Sequence, residues 1–347
     1  MRKALSALGM SALFALSASG QTEPGPDAAR TFRLIGGESP EAMKELAYVA
    51  GGVAKLGKPA VDAQKATITV TGSPDRIALA AWIVGELDQP TKAADLTYLA
   101  PGGADSMARM FYMAHLSTPQ QLQELVNIIR SMTEIGLISA YNPARAIVLS
   151  GTQAQVEQAG WLVKELDLAP DQALPPVAAM EMAFPPGSTA ATADARAYHM
   201  RHNQARIFYL KNHETPQQIQ EMVNVLRATT EMTRITVFSS LRAICSLGAP
   251  AQADAAAWLV SELEKPTPQA AAEDRYYLTP EYQADGEVRV FFVPGQTSES
   301  AQRLVNLIRR ANIQRVTVFD SGKAIVIRGA AGPVASAEQV VQQFARN

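Results

Sequence analysis

The feature that most constrains the fold is a segment that recurs along the chain. Residues 109–167 contain, in order, a short apolar run, a helical pattern, two further apolar runs and a second helical pattern. Within the first helical pattern, the motif LVNIIR at 125–130 returns as MVNVLR at 222–227 and as LVNLIR at 304–309. Such recurrence is typical of tandem repeats, in which one supersecondary unit is copied along the chain.

Local patterns define the elements of the repeated unit. Apolar residues spaced i, i+3, i+4 and i+7 predict a helix whose inner stripe is Leu122, Leu125, Val126 and Ile129. Thr118 and Pro119 supply a cap and a first-turn proline for that helix. The apolar runs at 137–140 and 146–149 flank a turn at Asn142 and Pro143, which predicts a hairpin. The predicted order is therefore β-α-β-β-α.

Four copies of this unit align on the glycine that closes the last apolar run, at Gly72, Gly151, Gly248 and Gly329. We predict an α+β fold, a tandem repeat of four small β-α-β-β-α domains, each a three-stranded sheet with two helices on one face. The predicted segments are a signal peptide at 1–20, repeat 1 at 30–90, repeat 2 at 109–168, a Pro/Ala-rich joint at 169–205, repeat 3 at 206–266 and repeat 4 at 287–346. Because domains this small bury little surface, neighbouring repeats are expected to pack together.

The joints between the repeats carry a signal of their own. The fragments DLTYLAP at 95–101 and DRYYLTP at 274–280 are similar, and each precedes a repeat. We expect each fragment to be a short extended segment that docks on the repeat following it. The joint at 169–205 is longer and contains two Pro-Pro pairs, so we expect it to be the main hinge.

The end of each repeat resembles a known family. The segment NPARAIVLSGTQAQVEQAGWLVKELD at 142–167 is similar to the short N-terminal repeat domain of secretins, the outer-membrane channels of type II and type III secretion and of type IV pili. The shared features are an apolar strand, a Ser-Gly or Thr-Gly turn, a helix and a closing Leu-Asp. The closing pairs in this chain are Leu87-Asp88, Leu166-Asp167, the looser Leu263-Glu264, and Phe344-Ala345 in the fourth repeat. The resemblance implies protein partners and self-association. Because a secretin continues into a channel domain and this sequence ends at Asn347, we do not expect a secretin pore.

The N-terminus and the charge balance indicate where the chain acts. A basic start at Arg2 and Lys3, an apolar run at 4–18 and small residues before Gln21 predict a secretory signal peptide, cleaved before Gln21. An uncleaved anchor is the alternative, although the run is short for a membrane span. We therefore expect a periplasmic or secreted protein with no transmembrane span after signal cleavage. The formal charge of −2 argues against nucleic acid as a partner, and the Gly-x-x-Gly loop of KH-type RNA modules is absent between the elements that would carry it.

Residues that could carry chemistry are few. His199 and His202 have a spacing that suits a metal on one helix face, but two ligands alone make a weak site, and a solvated joint is the alternative. His115 and His213 are interpreted as polar strand ends. The single cysteine, Cys245, lies in an apolar run and is interpreted as a buried, unreactive thiol. We expect no cofactor, no metal and no enzyme activity; a metal-dependent enzyme is the minority alternative.

Two sets of recurring residues are candidate interfaces between repeats or with a partner. Beside the stripe of the first helix lie Asn127, Asn224, Asn306, Arg130, Arg227 and Arg309. They form a repeated polar surface, or they are flanking side chains that bond nearby backbone and extend to solvent. The second set is Trp82, Trp161 and Trp258, which point away from the stripe of the second helix. We interpret each Trp as docking on the following repeat or its joint segment; partner binding or a shifted helix phase are the alternatives. The corresponding residue in the fourth repeat is Gln339.

The predicted function follows from these patterns. We expect a non-catalytic, exported scaffold for protein–protein interaction or assembly, built of secretin-N-like modules, with partners in the cell envelope that include itself or a secretin. The alternative is a periplasmic accessory component of a type II secretion or type IV pilus-like system, docked on a secretin.

Overall fold

The computed structural model describes residues 27–36, 39–89, 95–99, 107–169, 172–182, 203–270, 272–277, 286–310 and 312–345. In these ranges the chain forms four α+β units, each built on a small antiparallel sheet. The predicted α+β tandem repeat is confirmed. The predicted signal peptide, His199 and His202 lie outside the described residues.

The first unit has five elements. They are β1 (Ala28–Arg33), α1 (Pro40–Val53), β2 (Ala60–Asp62), β3 (Thr67–Gly72) and α2 (Pro74–Leu87). Its sheet has the order β1-β3-β2, so the closing strand β3 lies in the centre. This unit has the three-stranded sheet that the sequence predicts.

The next three units repeat this plan with one added strand at the start. The second unit consists of β4 (Leu96–Leu99), β5 (Met107–Tyr112), α3 (Pro119–Thr133), β6 (Leu137–Tyr141), β7 (Ala146–Gly151) and α4 (Gln153–Leu166). The third consists of β8 (Val177–Met182), β9 (Asn203–Tyr209), α5 (Pro216–Thr230), β10 (Arg234–Phe238), β11 (Ala243–Gly248) and α6 (Pro250–Leu263). The fourth consists of β12 (Ala272–Tyr277), β13 (Glu287–Phe292), α7 (Ser298–Arg310), β14 (Arg315–Phe319), β15 (Ala324–Gly329) and α8 (Ala331–Ala345).

The added strand comes from the joint ahead of each of these units. β4, β8 and β12 pair antiparallel with β5, β9 and β13, which makes sheets of four strands instead of the three predicted. β4 lies in the first fragment expected to dock on the following repeat, and β12 overlaps the second. The third, β8, lies inside the joint expected to be the main hinge. The domain boundaries inferred from the sequence leave all three strands outside the repeats.

Helix starts follow the local sequence signals. Thr118 caps α3: its side chain accepts from Gln121 N, and Gln121 Oε1 accepts in return from Thr118 N at 3.0 Å. The same reciprocal capping box joins Thr215 and Gln218 at α5. Both helices have Pro as the first residue, where its missing N–H costs no hydrogen bond.

The two helices of a unit pack on one face of its sheet. In the second unit, α3 and α4 contact each other and the strands beneath them. The predicted stripe residues are buried: Leu122, Leu125, Val126 and Ile129 of α3, and Val156, Ala159, Val163 and Leu166 of α4. This is the predicted arrangement of two helices on one face. The opposite face of the sheet is covered from outside the unit.

Candidate interaction surfaces

The sheets of the later units are buried on both faces, and this determines how the units meet. In β7, Ile147 and Leu149 pack in the core of their own unit. The alternate residues, Ala146 and Val148, pack in a cluster with α1 of the first unit. Alternation along a strand sends neighbouring side chains to opposite faces, so one strand contributes to two cores. Each later unit thus sits on the first helix of the unit before it.

An aromatic anchor ends the outer hairpin strand of each later unit. Tyr141, Phe238 and Phe319 occupy this position and are fully buried. Each belongs to a cluster that contains the first helix of the preceding unit. Complete burial of a large aromatic side chain stabilises a contact by about 1.5–3 kcal/mol. The anchors therefore join the units by packing, not only by the chain.

A glutamate on the preceding helix holds the hairpin beside each anchor. Glu45 Oε1 of α1 accepts from Asn142 N at 2.7 Å and from Asn142 Nδ2 at 2.6 Å. Glu124 of α3 accepts from Ser239 N at 3.2 Å. Glu221 of α5 accepts from Ser321 N at 3.1 Å and from its hydroxyl at 2.7 Å. We call Glu45, Glu124 and Glu221 the latch glutamates. Their hydrogen bonds to the next unit's turn repeat at every joint between described units.

Ion pairs reinforce the two later joints. Glu134, in the left-handed conformation just after α3, pairs with Arg234 at the start of β10. Glu231, in the same place after α5, pairs with Arg315 at the start of β14. Arg328, which is 3% exposed, donates to Thr229 O at 2.7 Å across the joint between the third and fourth units. The hydrogen bond from the buried Arg328 contributes about 1.5–3 kcal/mol. The partly exposed pairs Glu134–Arg234 and Glu231–Arg315 contribute less.

The first unit lacks the surface that the later units dock with. Asp62 stands where the later units have the aromatic anchor, and its carboxylate accepts from Gln64 N and Lys65 N of its own turn at 3.1 Å. The outward side chains of β3 are Thr67, Thr69 and Thr71, which are half-buried or exposed. A polar outer face of this kind is typical of a capping repeat at the end of a stack.

The predicted tryptophans lie on the side of the second helix that faces the added strand of the following unit. The Trp82 ring packs against Tyr98 of β4, with the ring centroids 5.4 Å apart. Trp161 is half-buried in the cluster that includes Ala178 and Met180 of β8. Trp258 is half-buried at the cluster shared by the third and fourth units, where α6 contacts β12. Their energetic role as interface residues stays a prediction.

The predicted asparagines and arginines lie on exposed helix surface. Asn127 and Asn224 each accept from a glutamine one turn earlier, at 3.0 and 3.1 Å. Arg130 and Arg227 each donate to a carbonyl of their own hairpin, Ile138 O at 3.2 Å and Ile235 O at 2.8 Å. Asn306 and Arg309 are exposed on α7. Asn224 and Arg309 both line a groove of about 510 Å³ between α5, α7 and β14. A partner role for these six residues stays a prediction.

An arginine recurs on the first long strand of every unit and is not among the site residues predicted from the sequence. Two residues before a phenylalanine stand Arg30, Arg109, Arg206 and Arg289. Arg109 lies over the Phe111 ring at 4.7 Å and pairs with Asp95, just before β4, at 3.5 Å. Arg206 pairs with Asp254 of α6. The recurring Arg-x-Phe triplet was the available signal, because it lies at nearly the same distance before each closing glycine.

In the fourth unit this arginine gathers three carboxylates. Arg289 is buried and bonds Glu287 at 2.6 Å, Glu273 at 3.0 Å and Glu338 of α8. Burial acts to lower the pKa of Arg289, but the hydrogen bonds that it donates to Glu287 and Glu338 outweigh burial and raise the pKa. The charged guanidinium therefore ties the strand to the added strand and to the second helix.

Cys245 and His213 both lie at joints. Cys245 is fully buried on the face of β11 that packs on the second unit, and burial raises the pKa of its thiol to about 12. The His213 ring lies 5.1 Å from the Phe319 anchor of the fourth unit, and its Nδ1 is 2.5 Å from Glu264 Oε1.

Among the described residues, no cluster of three His, Cys, Asp or Glu side chains is arranged to hold a metal ion. In the same part of the chain, no helix has the length and apolar character that a bilayer crossing needs.

Comparison with known proteins gives loose structural matches only. No family model matches the sequence, and no curated protein matches it significantly. The ETEC pilotin–secretin complex AspS–GspD matches at 13% identity with a TM-score of 0.17, over 70% of this chain and 38% of that one. ExeD of Aeromonas hydrophila matches at 12% identity with a TM-score of 0.16, over 88% and 59%. An aspartate kinase from Synechocystis matches at 11% identity with a TM-score of 0.17, over 75% and 45%. This chain thus spans 38% and 59% of the first two chains, and TM-scores this low carry no argument about function.

Proposed function

We propose that the chain is a non-catalytic, exported scaffold that holds protein-binding surfaces of the cell envelope at fixed spacing. The observation that carries the proposal is the repeated joint. Each joint combines an aromatic anchor with a latch glutamate, as at Phe238 and Glu124. Because neighbouring units share continuous apolar clusters, their surfaces keep one relative arrangement. A fixed arrangement suits a scaffold, since binding surfaces that are already ordered lose less entropy when a partner binds.

The acidic side chains that follow the second helices accept hydrogen bonds from the backbone of their own units, which favours a structural role over a catalytic one. Asp167 accepts from Ala114 N at 2.6 Å, His115 N at 2.9 Å and Leu116 N at 2.8 Å. Asp88 accepts from Ile35 N at 2.7 Å and Gly36 N at 3.0 Å. A carboxylate that accepts several backbone N–H bonds restrains the loop that donates them. These hydrogen bonds therefore stabilise the units.

Open strand edges supply a surface for partners. The sheet of the second unit has the order β4-β5-β7-β6, so β4 forms one edge. Leu99 at the end of β4 is 70% exposed, which is unusual for a large apolar side chain among the described residues. An edge strand with free backbone groups pairs readily with a strand of another chain. We therefore expect partners to bind at this edge.

Site-directed photocrosslinking in the exporting cell tests the proposal. A photoreactive residue at Leu99 is expected to give discrete adducts with envelope proteins. The same residue at Lys164, an exposed position on α4, serves as the control. Identical adduct patterns from the two positions would contradict specific binding at the edge. Loosening a joint with Glu124→Ala is expected to reduce the adducts from position 99, whereas unchanged adducts would contradict the need for fixed spacing.

A further inference from the structure

The outer face of α7 differs from the equivalent face in the other three units. This face is formed by residues spaced i, i+4 and i+7, which lie on one side of a helix. In α1, α3 and α5 it carries a latch glutamate, an aliphatic residue and a small residue. These are Glu45, Val49 and Gly52; Glu124, Ile128 and Ser131; and Glu221, Val225 and Ala228. In α7 the three positions hold Arg303, Leu307 and Arg310.

In the first three units this face is covered by the hairpin of the next unit. α1 contacts β6, α3 contacts β10 and α5 contacts β14. The aliphatic residues Val49, Ile128 and Val225 are no more than 1% exposed, whereas Leu307 is 38% exposed. Within the described part of the chain no hairpin lies over α7. The fourth unit therefore presents a face whose counterparts all bind a hairpin, with an apolar centre.

The charge of this face is the reverse of its counterparts. A latch glutamate accepts hydrogen bonds from backbone N–H groups of the hairpin turn. Arginine has only donors, so Arg303 cannot bind a turn in that way. Arg303 lies 3.4 Å from Glu299, but both side chains are exposed and such a pair contributes little. With Arg310 also exposed, the face suits a turn that presents a carboxylate.

A second copy of this chain is a poor occupant in an end-to-end stack. The surface that would meet α7 is the outer face of the first unit, and it has Asp62 in place of the aromatic anchor. Thr31 and Thr69 bond each other on that face at 2.9 Å, and Arg33 lies on the same side of β1. Arg33 would oppose the arginines of α7, and the threonines offer no apolar contact for Leu307. The occupant that fits is therefore a different protein.

We propose that Arg303, Leu307 and Arg310 form a docking surface for a β-hairpin of a partner protein. The partner hairpin has an apolar anchor on its outer strand, to cover Leu307, and a carboxylate at its turn, to pair with Arg303. This inference rests on the proposed scaffold function, because it identifies one of the surfaces that the scaffold presents.

A pair of cyclic peptides tests the docking surface. The first copies residues 315–329, which include the Phe319 anchor and the turn, and carries Ser321→Glu; the matched peptide keeps Ser321. Residue 321 is the right place for the acid, because Ser321 meets the latch glutamate in the joint. A disulfide closes both peptides, since an isolated hairpin is only marginally stable in water. Binding to the full chain is measured by fluorescence anisotropy. The acidic peptide is expected to bind about tenfold more tightly than its match.

Variants of the full chain then identify the surface. Arg303→Glu is expected to reverse the preference between the two peptides, because it restores a latch glutamate. Leu307→Asp is expected to abolish binding of both peptides, while Lys164→Glu on α4 leaves it unchanged. Equal affinity of the two peptides, or no response to Arg303→Glu, would overturn the proposal. Arginine-dependent binding of the chain to phosphatidylglycerol vesicles, with no peptide binding, would also overturn it in favour of a membrane surface.

Thiol labelling distinguishes a missing docking surface from a stack whose units do not pack together. The thiol of Cys245 is buried at the joint between the second and third units and reports whether the stack is intact. An unreactive thiol with no peptide binding counts against the docking surface alone. A reactive thiol in the unmodified chain counts against the scaffold itself.

Discussion

Single acidic residues brace the loops of three units from more than fifty residues away. Glu264, just after α6, accepts from Lys211 N at 2.7 Å and Asn212 N at 3.1 Å, and contacts His213. Burial acts to raise the pKa of Glu264, but the hydrogen bonds from His213 and the two N–H groups outweigh it. The pKa is therefore held below the 4.5 of a free glutamate. The ionised form is favoured in the folded state, so this residue makes stability depend on pH.

The sign of that dependence gives a prediction for Glu264→Gln. The unfolded chain takes up the proton first as the pH falls, so the stabilisation is complete above about pH 4.5 and is lost as the pH drops through the folded-state pKa. The variant is expected to be less stable than wild type at neutral pH, by about 1–3 kcal/mol. It is also expected to lose less stability on acidification. Urea unfolding across this pH range measures both effects, and Glu299→Gln, an exposed glutamate, is the control. Parallel pH profiles for wild type and Glu264→Gln would contradict the assignment.

The sequence shows the acidic residue but not its role. The closing Leu-Asp or Leu-Glu pair is visible as a motif, and the resemblance to secretin repeats partly depends on it. Its hydrogen-bond partners precede it by 51 to 53 residues, so no local pattern connects them. The fourth unit ends in Ala345 and has Pro294 in the corresponding loop, which lacks an N–H to donate.

At the scale of the elements, periodicity predicted one buried face of α3 and missed a second. The stripe from Leu122 to Ile129 faces the core of its own unit, as predicted. Ile128 lies off that stripe and is nonetheless 1% exposed, because β10 of the next unit covers it. A single extra aliphatic residue beside an apolar stripe is common on helices. Ile128 alone therefore does not predict from the sequence that a second face of α3 is buried. The added strands β4 and β12 were expected as docked segments, because the two joint fragments are alike.

At the joint between the third and fourth units, Glu221 and Ser321 are expected to be energetically coupled. Glu221→Ala and Ser321→Ala each remove one partner of the 2.7 Å hydrogen bond. A double-mutant cycle in urea unfolding is expected to give a coupling of about 1 kcal/mol. The matched cycle is Glu299→Ala with Arg303→Ala, an exposed pair on one helix, for which about 0.3–0.5 kcal/mol is expected. Equal coupling in the two cycles would show that the latch contributes no more than a surface contact.

At the scale of the whole molecule, the four described units form a stack. The first helix of each unit packs against the sheet of the next unit. Local patterns predict the repeats, because every unit has its own caps, turns and apolar runs. They do not predict the joints, since each joint is made of residues about one hundred positions apart, such as Glu45 with Asn142 and Glu221 with Ser321. The need for such packing was still deducible from size, because small units bury too little surface alone.

The rate at which the buried thiol of Cys245 is labelled measures how often the joint between the second and third units opens. It lies on the face of β11 that packs on α3, so labelling requires the second and third units to separate or the third to unfold. Glu124→Ala with Arg234→Ala removes the latch and the ion pair of that joint only. A loss of about 1.4 kcal/mol at the joint raises the open population, and so the labelling rate, about tenfold. Glu221→Ala, which loosens the neighbouring joint, is expected to leave the rate unchanged. If both variants raised the rate equally, or labelling followed global unfolding alone, the joints would not open independently and the chain would unfold as one cooperative body.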